Sequence, residues 1–420
     1  MKSNLLKTLG PGILFAATAI GVSHLVQSTR AGAEFGFTLV WAVIIANLFK
    51  YPFFEFGSRY ASVKGKSIID GYAQMGRLVL IGYLLVTLST MFFVAAAVCA
   101  VTAGFMQNLF HLPELLGSNS SLITNSFLII FGCALLIIGK YKILDSLIKI
   151  FGAVLLASTL VAFTITLFNG PVSSKPLFGE FNWQGTDVFF LIALMGWMPT
   201  AVDLSAWNSL WTIERIEQSG YKPTLKETLR EFNFGYIASA VLSICFITMG
   251  AYIMFGSGSE LSNSGAVFAN QVVNMFTAST GEWSYIIIAA AAFSIMLSTF
   301  LAVLDGYSRA LSKTAELLFN KQKSSAKTYN WSLIATALGG FAIIYYFIIV
   351  KKGSGFKSLV DVATTLSFLV APFVALANYK LVTNKSFPKD EQPKLWLKVL
   401  SVLGMVFLVG FSVYGLYVFA

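Results

Sequence analysis

Few side chains in this 420-residue sequence can do chemistry, and those that can gather where two apolar stretches are interrupted. Gly21-Val22-Ser23-His24 interrupts the first, which runs from Pro11 to Ala33; Met195-Gly196-Trp197-Met198-Pro199-Thr200 interrupts the second, from Thr186 to Trp211. His24 and Met198 are residue types that hold a soft ion such as copper(I). Ser23, His24 and Thr200 are donors suited to a carboxylate or carbonate oxygen. Each has a plainer role as well, since a lone imidazole in an apolar helix finds backbone partners and a methionine packs. Thr200, Asp203 and Trp207 share one face of a continuing helix, which makes Asp203 a candidate pathway acid or an internally paired one. Ser294, Ser298 and Asp305 align in a later segment, where Asp305 beside Arg309 reads as a structural cap or ion pair; Asp361 reads as a helix N-cap. With two histidines, His24 and His111, and no nucleophile elbow, phosphate loop or zinc spacing, the sequence does not read as an enzyme. Cys99, Cys133 and Cys245 lie in apolar segments without metal-ligand spacing and read as small core residues.

The elements that must position these residues are membrane helices. A chain that is 56% hydrophobic and 11% charged, with a mean hydropathy of +0.75, is too apolar for a soluble domain of its length. Segments of about twenty apolar residues read as spans. They fall at Pro11 to Ala33, Gly36 to Gly57, Val79 to Gln107, Leu122 to Gly139, Leu147 to Phe168, Thr186 to Trp211, Phe234 to Phe255, Trp283 to Leu304, Trp331 to Val350, Leu359 to Val382 and Leu395 to Phe419. The expected fold is therefore an all-α integral membrane protein of about eleven spans. Proline and glycine at the two interruptions free backbone groups at bilayer depth, which only protein or a watery cavity can cover. Interrupted spans at matching places in two halves point to the centre of an inverted-repeat carrier.

The net charge of +10 is a topology signal and calls for no nucleic acid. With the N-terminus inside, all of the 29 Lys and Arg except Arg30, Lys175, Lys351, Lys352 and Lys357 fall on the cytoplasmic side, Lys50 counting with the loop that runs to Arg77. The C-terminus is then extracytoplasmic, in a cell inner or plasma membrane. Lys2 and Lys7 precede an apolar run longer than a signal core, so the first span reads as an uncleaved helix. The connections Gly256 to Glu282 and Asp305 to Asn330 read as loops, one extracellular and one basic and cytoplasmic.

Gly10-Pro11-Gly12-Ile13-Leu14, Arg30-Ala31-Gly32-Ala33, Met198-Pro199, Leu297-Ser298-Thr299 with Gly306, and Ala371-Pro372-Phe373 together resemble the Nramp family of divalent-metal transporters. The resemblance implies a LeuT-type architecture, a 5+5 inverted repeat over 1–168 and 169–385 with broken helices 1 and 6, followed by an additional helix over 386–420. It also implies departures. Where the family carries Asp-Pro-Gly-Asn, this chain has Gly21-Val22-Ser23-His24, so the ligating carboxylate is gone. Met198 matches the family's soft ligand, but Thr200 replaces the following His and Met195 replaces a small residue one turn earlier. Ala95 and Val98 stand where the family has acids for protons, and Val370 where it has Gln.

Magnesium and manganese favour carboxylate and water ligands, so losing the acid weakens the metal reading. The positive N-terminal ends of half-helices near His24 and Thr200 then favour a small anion or zwitterion, with bicarbonate a specific candidate. The expected substrate-binding set is Gly21, Ser23, His24, Met195, Met198 and Thr200. Arg30 attracts anions at an outer mouth or pairs with Glu34. By the same resemblance Thr18, Gly21, Ser298 and Thr299 form a candidate sodium site for coupling, and no other cofactor is implied. The alternatives are a divalent-cation carrier using His24 and Met198, and a non-transporting receptor. The expected partners are the lipid bilayer and a small ionic or polar solute.

Overall fold

A computed structural model describes residues 11–139, 141–174, 176–258, 260–319, 326–350 and 355–419. Gly10 of the opening motif and the basic residues Lys2, Lys7, Lys140, Lys175, Lys321, Lys323, Lys351 and Lys352 lie outside the described residues.

The first broken span is α1 (Pro11–Ala19), a π-helical turn (Ser23–Ser28) and α2 (Thr29–Phe35). There follow α3 (Val40–Lys64), α4 (Ile68–Met75), α5 (Arg77–Leu109), α6 (Leu112–Leu116), α7 (Ser120–Ile137) and α8 (Tyr141–Asn169). The second broken span is α9 (Gly185–Gly196) and α10 (Leu204–Ser219). Then come α11 (Leu225–Ile253), α12 (Gly265–Thr280), α13 (Tyr285–Leu318), α14 (Ala326–Tyr345), α15 (Phe356–Thr383) and α16 (Leu395–Phe419). All eleven expected spans fall on helices, and among the described residues seven are long and apolar enough to cross a membrane by length and composition. Of the other four, two are the broken spans, α3 carries Lys50, Glu55 and Arg59, and α8 contributes the shorter apolar stretch Leu156–Asn169.

Helix ends follow local chemistry. Ser67 and Thr224 each accept the amide three residues on while that residue's carboxylate returns to the cap, and α3 and α10 stop at Gly65 and Gly220 in left-handed conformation. A close backbone approach joins α2 to α11: a side chain at Gly32 would lie 2.1 Å from the Ile247 carbonyl oxygen, and one at Gly250 would lie 2.5 Å from that of Thr29. Small residues permit this contact where lipid supplies no hydrophobic force between helices. α13 packs along α5, α10 along α3, and α9 along α15, so both breaks are held inside the bundle.

Three sequence expectations are corrected here. The Asp305 to Asn330 connection is largely helical, with α13 running to Leu318 and α14 starting at Ala326. The Gly256 to Glu282 connection contains α12, whose Phe268, Val272 and Phe276 are buried. Asp361 is no N-cap: α15 begins at Phe356, and Asp361 lies a turn further on, paired with Arg30 at 2.7 Å.

Candidate functional site

At the first break α1 stops at Ala19, and the chain resumes as a π-turn at Ser23. Hydroxyls lie against the carbonyls set free: Thr299 Oγ1 shares its proton between Ala17 at 3.1 Å and Ile295 at 2.9 Å, and Ser23 Oγ contacts Ala19. His24 is fully buried and turns away toward α11. Its Nε2 is 2.8 Å from the Ser239 carbonyl, a contact that requires the proton on that nitrogen, and its Nδ1 is 2.6 Å from Ser23 Oγ. Gly21 faces Thr299 so closely that a Cβ would lie 2.8 Å from both Thr299 Cγ2 and Oγ1. Any side chain there displaces Thr299.

At the second break α9 ends at Gly196, the Met198–Pro199 peptide is cis, and α10 begins at Leu204. Trp197 Nε1 donates to Ser367 Oγ at 2.9 Å. Met195 and Met198 are fully buried in the core. Lys50 Nζ donates to the carbonyls of Met195 at 3.0 Å, Gly196 at 2.9 Å and Thr200 at 2.9 Å.

Between the breaks lies a cavity of about 20 Å³ lined by Thr18, Ser23, Trp197, Thr200, Thr299 and Tyr307 over an apolar wall that includes Val98. No carboxylate lines it. The structure thus brings together Thr18, Ser23, Thr200 and Thr299 of the expected residues, with Gly21 against Thr299, and does not bring His24, Met195 or Met198 to the cavity. Ser298 Oγ is buried without a hydrogen-bond partner among the described residues, and Thr18 Oγ1 donates to Leu14 at 2.7 Å. A larger cleft of about 740 Å³ opens elsewhere, where Arg309 pairs with Asp305 and Glu214 and Lys313 with Asp70.

Three further readings change. Asp203 does not share a helical face with Thr200, because the chain is unwound until Leu204; it stands at the N-cap position of α10 with its Oδ2 3.3 Å from Tyr307 OH. Its carboxylate therefore offsets the positive end of that half-helix, which the sequence left unbalanced. Arg30 lies at no open mouth. It is buried and bonded to Asp361, to Gln27 at 3.1 Å and to Glu34 at 3.4 Å, with its guanidinium 4.5 Å from the Phe190 ring centroid, so it ties α2 to α15 and α9. Lys50 belongs to no loop: it sits within α3 and is fully buried.

Lys50 is the residue at the second break that sequence reasoning missed. Its signal was helical phase, since Lys50 shares a stripe with Val43, Asn47 and Phe54, all buried, while Ile44 and Leu48 are exposed. Among the described residues no group of three or more His, Cys, Asp or Glu is placed to hold a metal ion.

The family model described as natural resistance-associated macrophage protein-like matches residues 12–418. An uncharacterized protein of Pasteurella multocida, PM0681, is 34% identical over 408 residues, which cover 96% of this chain and 90% of that one. Among solved structures, a manganese transporter of Eremococcus coleocola superposes with a TM-score of 0.73 at 15% identity, covering 98% of this chain and 86% of its own. MhsT in complex with L-phenylalanine superposes with a TM-score of 0.61 at 14% identity, covering 97% of each chain. These likenesses show the fold, the LeuT-type arrangement around two broken helices.

Proposed function

Because this chain belongs to the Nramp family, we propose that it is a secondary transporter that has given up the transition metal for a small anion or zwitterion, with bicarbonate the specific candidate. The membrane, multi-pass, transporter character follows from the family and fold. The solute reading rests on one observation: the cavity between the breaks is lined by hydroxyls and aromatic rings and by no acid, and at Gly21 the space a carboxylate would need is filled by Thr299. A divalent cation that sheds water needs oxygen ligands with negative charge to offset the loss. The Thr200 hydroxyl, which lines the cavity, can instead donate to an anion's oxygen. In this conformation the cavity has room for about one water molecule, so the solute site forms when the surrounding helices part.

Sodium as the coupling ion is part of the same reading. It is supported by the unpartnered Ser298 hydroxyl and by Thr299 Oγ1, which reaches the Ala17 carbonyl of α1. The basic residues assign the N-terminus to the cytoplasm and the C-terminus to the opposite side, in an inner or plasma membrane. The repeats divide at 1–168 and 169–385, with α16 appended.

The second reading, a manganese- or magnesium-like cation, is favoured by family membership and by the manganese transporter among the structural neighbours. A proteoliposome uptake panel of manganese, magnesium, bicarbonate and small carboxylates separates the two. Uptake of bicarbonate or a carboxylate without manganese is the expected result, and saturable manganese uptake at micromolar concentration refutes the anion reading. Solute binding without flux for every compound would indicate a receptor.

A further inference from the structure

The carbonyls of Met195, Gly196 and Thr200 belong to both sides of the second break, and all three converge on one atom, Lys50 Nζ. Carbonyls freed by unwinding at the membrane midplane are the ordinary ligands of a bound cation. Here the cation is covalently attached. We propose that Lys50 is a built-in cation that fills this carbonyl cradle and thereby excludes metal and alkali ions from the second break, making it a specificity-determining residue of the carrier.

Geometry fixes the chemical form. Three acceptors at 2.9–3.0 Å require three N–H donors, which only the ammonium has; a neutral amine would turn its lone pair on one of the carbonyls. The distances are ammonium distances as well. Magnesium draws oxygen to about 2.0–2.1 Å and calcium to about 2.3–2.6 Å, so either would have to pull the cradle inward after displacing the lysine. Backbone dipoles favour the same occupant, because Met195 and Gly196 are the last residues of α9 and present its negative end. Asp203, at the opposite lip of the break, lies within electrostatic reach of the ammonium and balances its charge. A second cation would meet a fixed positive charge and carbonyls already occupied. The proposal does not depend on which solute is carried.

The test uses purified full-length protein in detergent, as wild type, Lys50→Ala and Lys50→Met. Each is melted in choline chloride and in the chlorides of ammonium, methylammonium, potassium and manganese. Lys50→Ala should melt lower than wild type in choline. Ammonium or methylammonium should then stabilise it, at ten times its dissociation constant raising its folded-to-unfolded ratio by about tenfold. Wild type should respond alike to all the salts, and Lys50→Met, whose thioether fills the space without charge, should stay low in all of them. Lys50→Ala melting with wild type in choline, or failing to respond to either ammonium ion, overturns the proposal. So does saturable stabilisation of wild type by manganese that Lys50→Met abolishes. A measurement on wild type stands apart from whether the variants fold: lysine labelled with 15N should give a slowly exchanging ammonium signal from a fully buried Nζ. Absence of that signal overturns the proposal too.

Discussion

Replacing Asp361 with Asn tests what closes the bundle on the side of Glu34. In the structure Arg30 is held by Asp361 at 2.7 Å, Gln27 at 3.1 Å, Glu34 at 3.4 Å and the face of Phe190. Removing one partner of a buried ion pair costs about 3–5 kcal/mol, chiefly because the other charge is left uncompensated. The lower end applies to Asp361→Asn. Glu34 and Gln27 stay within reach of the guanidinium, although Glu34, 32% exposed at its side chain, shares its charge with water. If that cost falls on the closed arrangement of α2, α9 and α15, about 3 kcal/mol shifts the ratio of closed to open forms by about 100-fold. The assay is labelling of Thr18→Cys, a cavity-lining position, by a membrane-impermeant thiol reagent in protein whose Cys99, Cys133 and Cys245 are alanine. Asp361→Asn should label about 100-fold faster than its parent. Arg30→Met with Asp361→Leu, which buries no charge, should return most of the way to the parent rate. Labelling of Asp361→Asn within threefold of the parent refutes the reasoning, and equal rates in the single and double variants refute the role of the unpaired arginine.

Other outcomes follow from the same contacts. His24→Phe removes the donor to Ser239 and the partner of Ser23, and should destabilise by about 1–3 kcal/mol in detergent melting while solute selectivity is unchanged; altered selectivity in a stable variant would place His24 at the solute. Gly21→Ala should reduce flux by forcing its methyl against Thr299, and Gly21→Ala with Thr299→Ala should recover part of it, whereas no recovery would locate the strain elsewhere. Ser298→Ala with Thr299→Ala should weaken the sodium dependence of vesicle flux before it weakens stability. Wild-type flux that is unchanged when choline replaces sodium eliminates the coupling.

What the sequence made legible was whatever depends on local covalent chemistry. Clustered proline and glycine in Met195 to Thr200 and glycine in Gly21 to His24 weaken the helix ladder, and the breaks lie there, whereas the isolated Pro52 and Pro372 are carried inside α3 and α15. Long apolar runs likewise specify α5, α13 and α16. Pairings made across the bundle were hidden. Arg30 and Asp361 are separated by 331 residues, and a lone arginine near a helix end reads the same whether its partner is Glu34 one turn away or Asp361 on α15. Lys50 was hidden for another reason: a lysine at the end of an apolar run counts as a loop charge unless the buried phase of α3 is followed through it. α12 was masked by its flanks, since Ser262, Asn263 and Ser264 before it and Gly281 after it carry the composition of a loop while Phe268, Val272 and Phe276 keep helical spacing.

Lipid cannot hydrogen-bond an unwound backbone, so a carrier with two broken helices must satisfy its freed carbonyls from within or from its cargo. This chain does so from within on both sides of the cavity. Thr299 reaches a carbonyl of α1, and Lys50 takes those of α9 together with Thr200. The positive end of α10 is met by Asp203, which is itself in contact with Tyr307. With backbone and helix ends so provided for, the solute is no longer needed as a ligand for the breaks. What remains available at the cavity is the Thr200 hydroxyl within a wall of aromatic and aliphatic side chains. On the anion reading proposed above, glycine at position 21 and lysine at position 50 act in the same direction: one leaves no room for a carboxylate beside Thr299, the other occupies carbonyls that a cation would use.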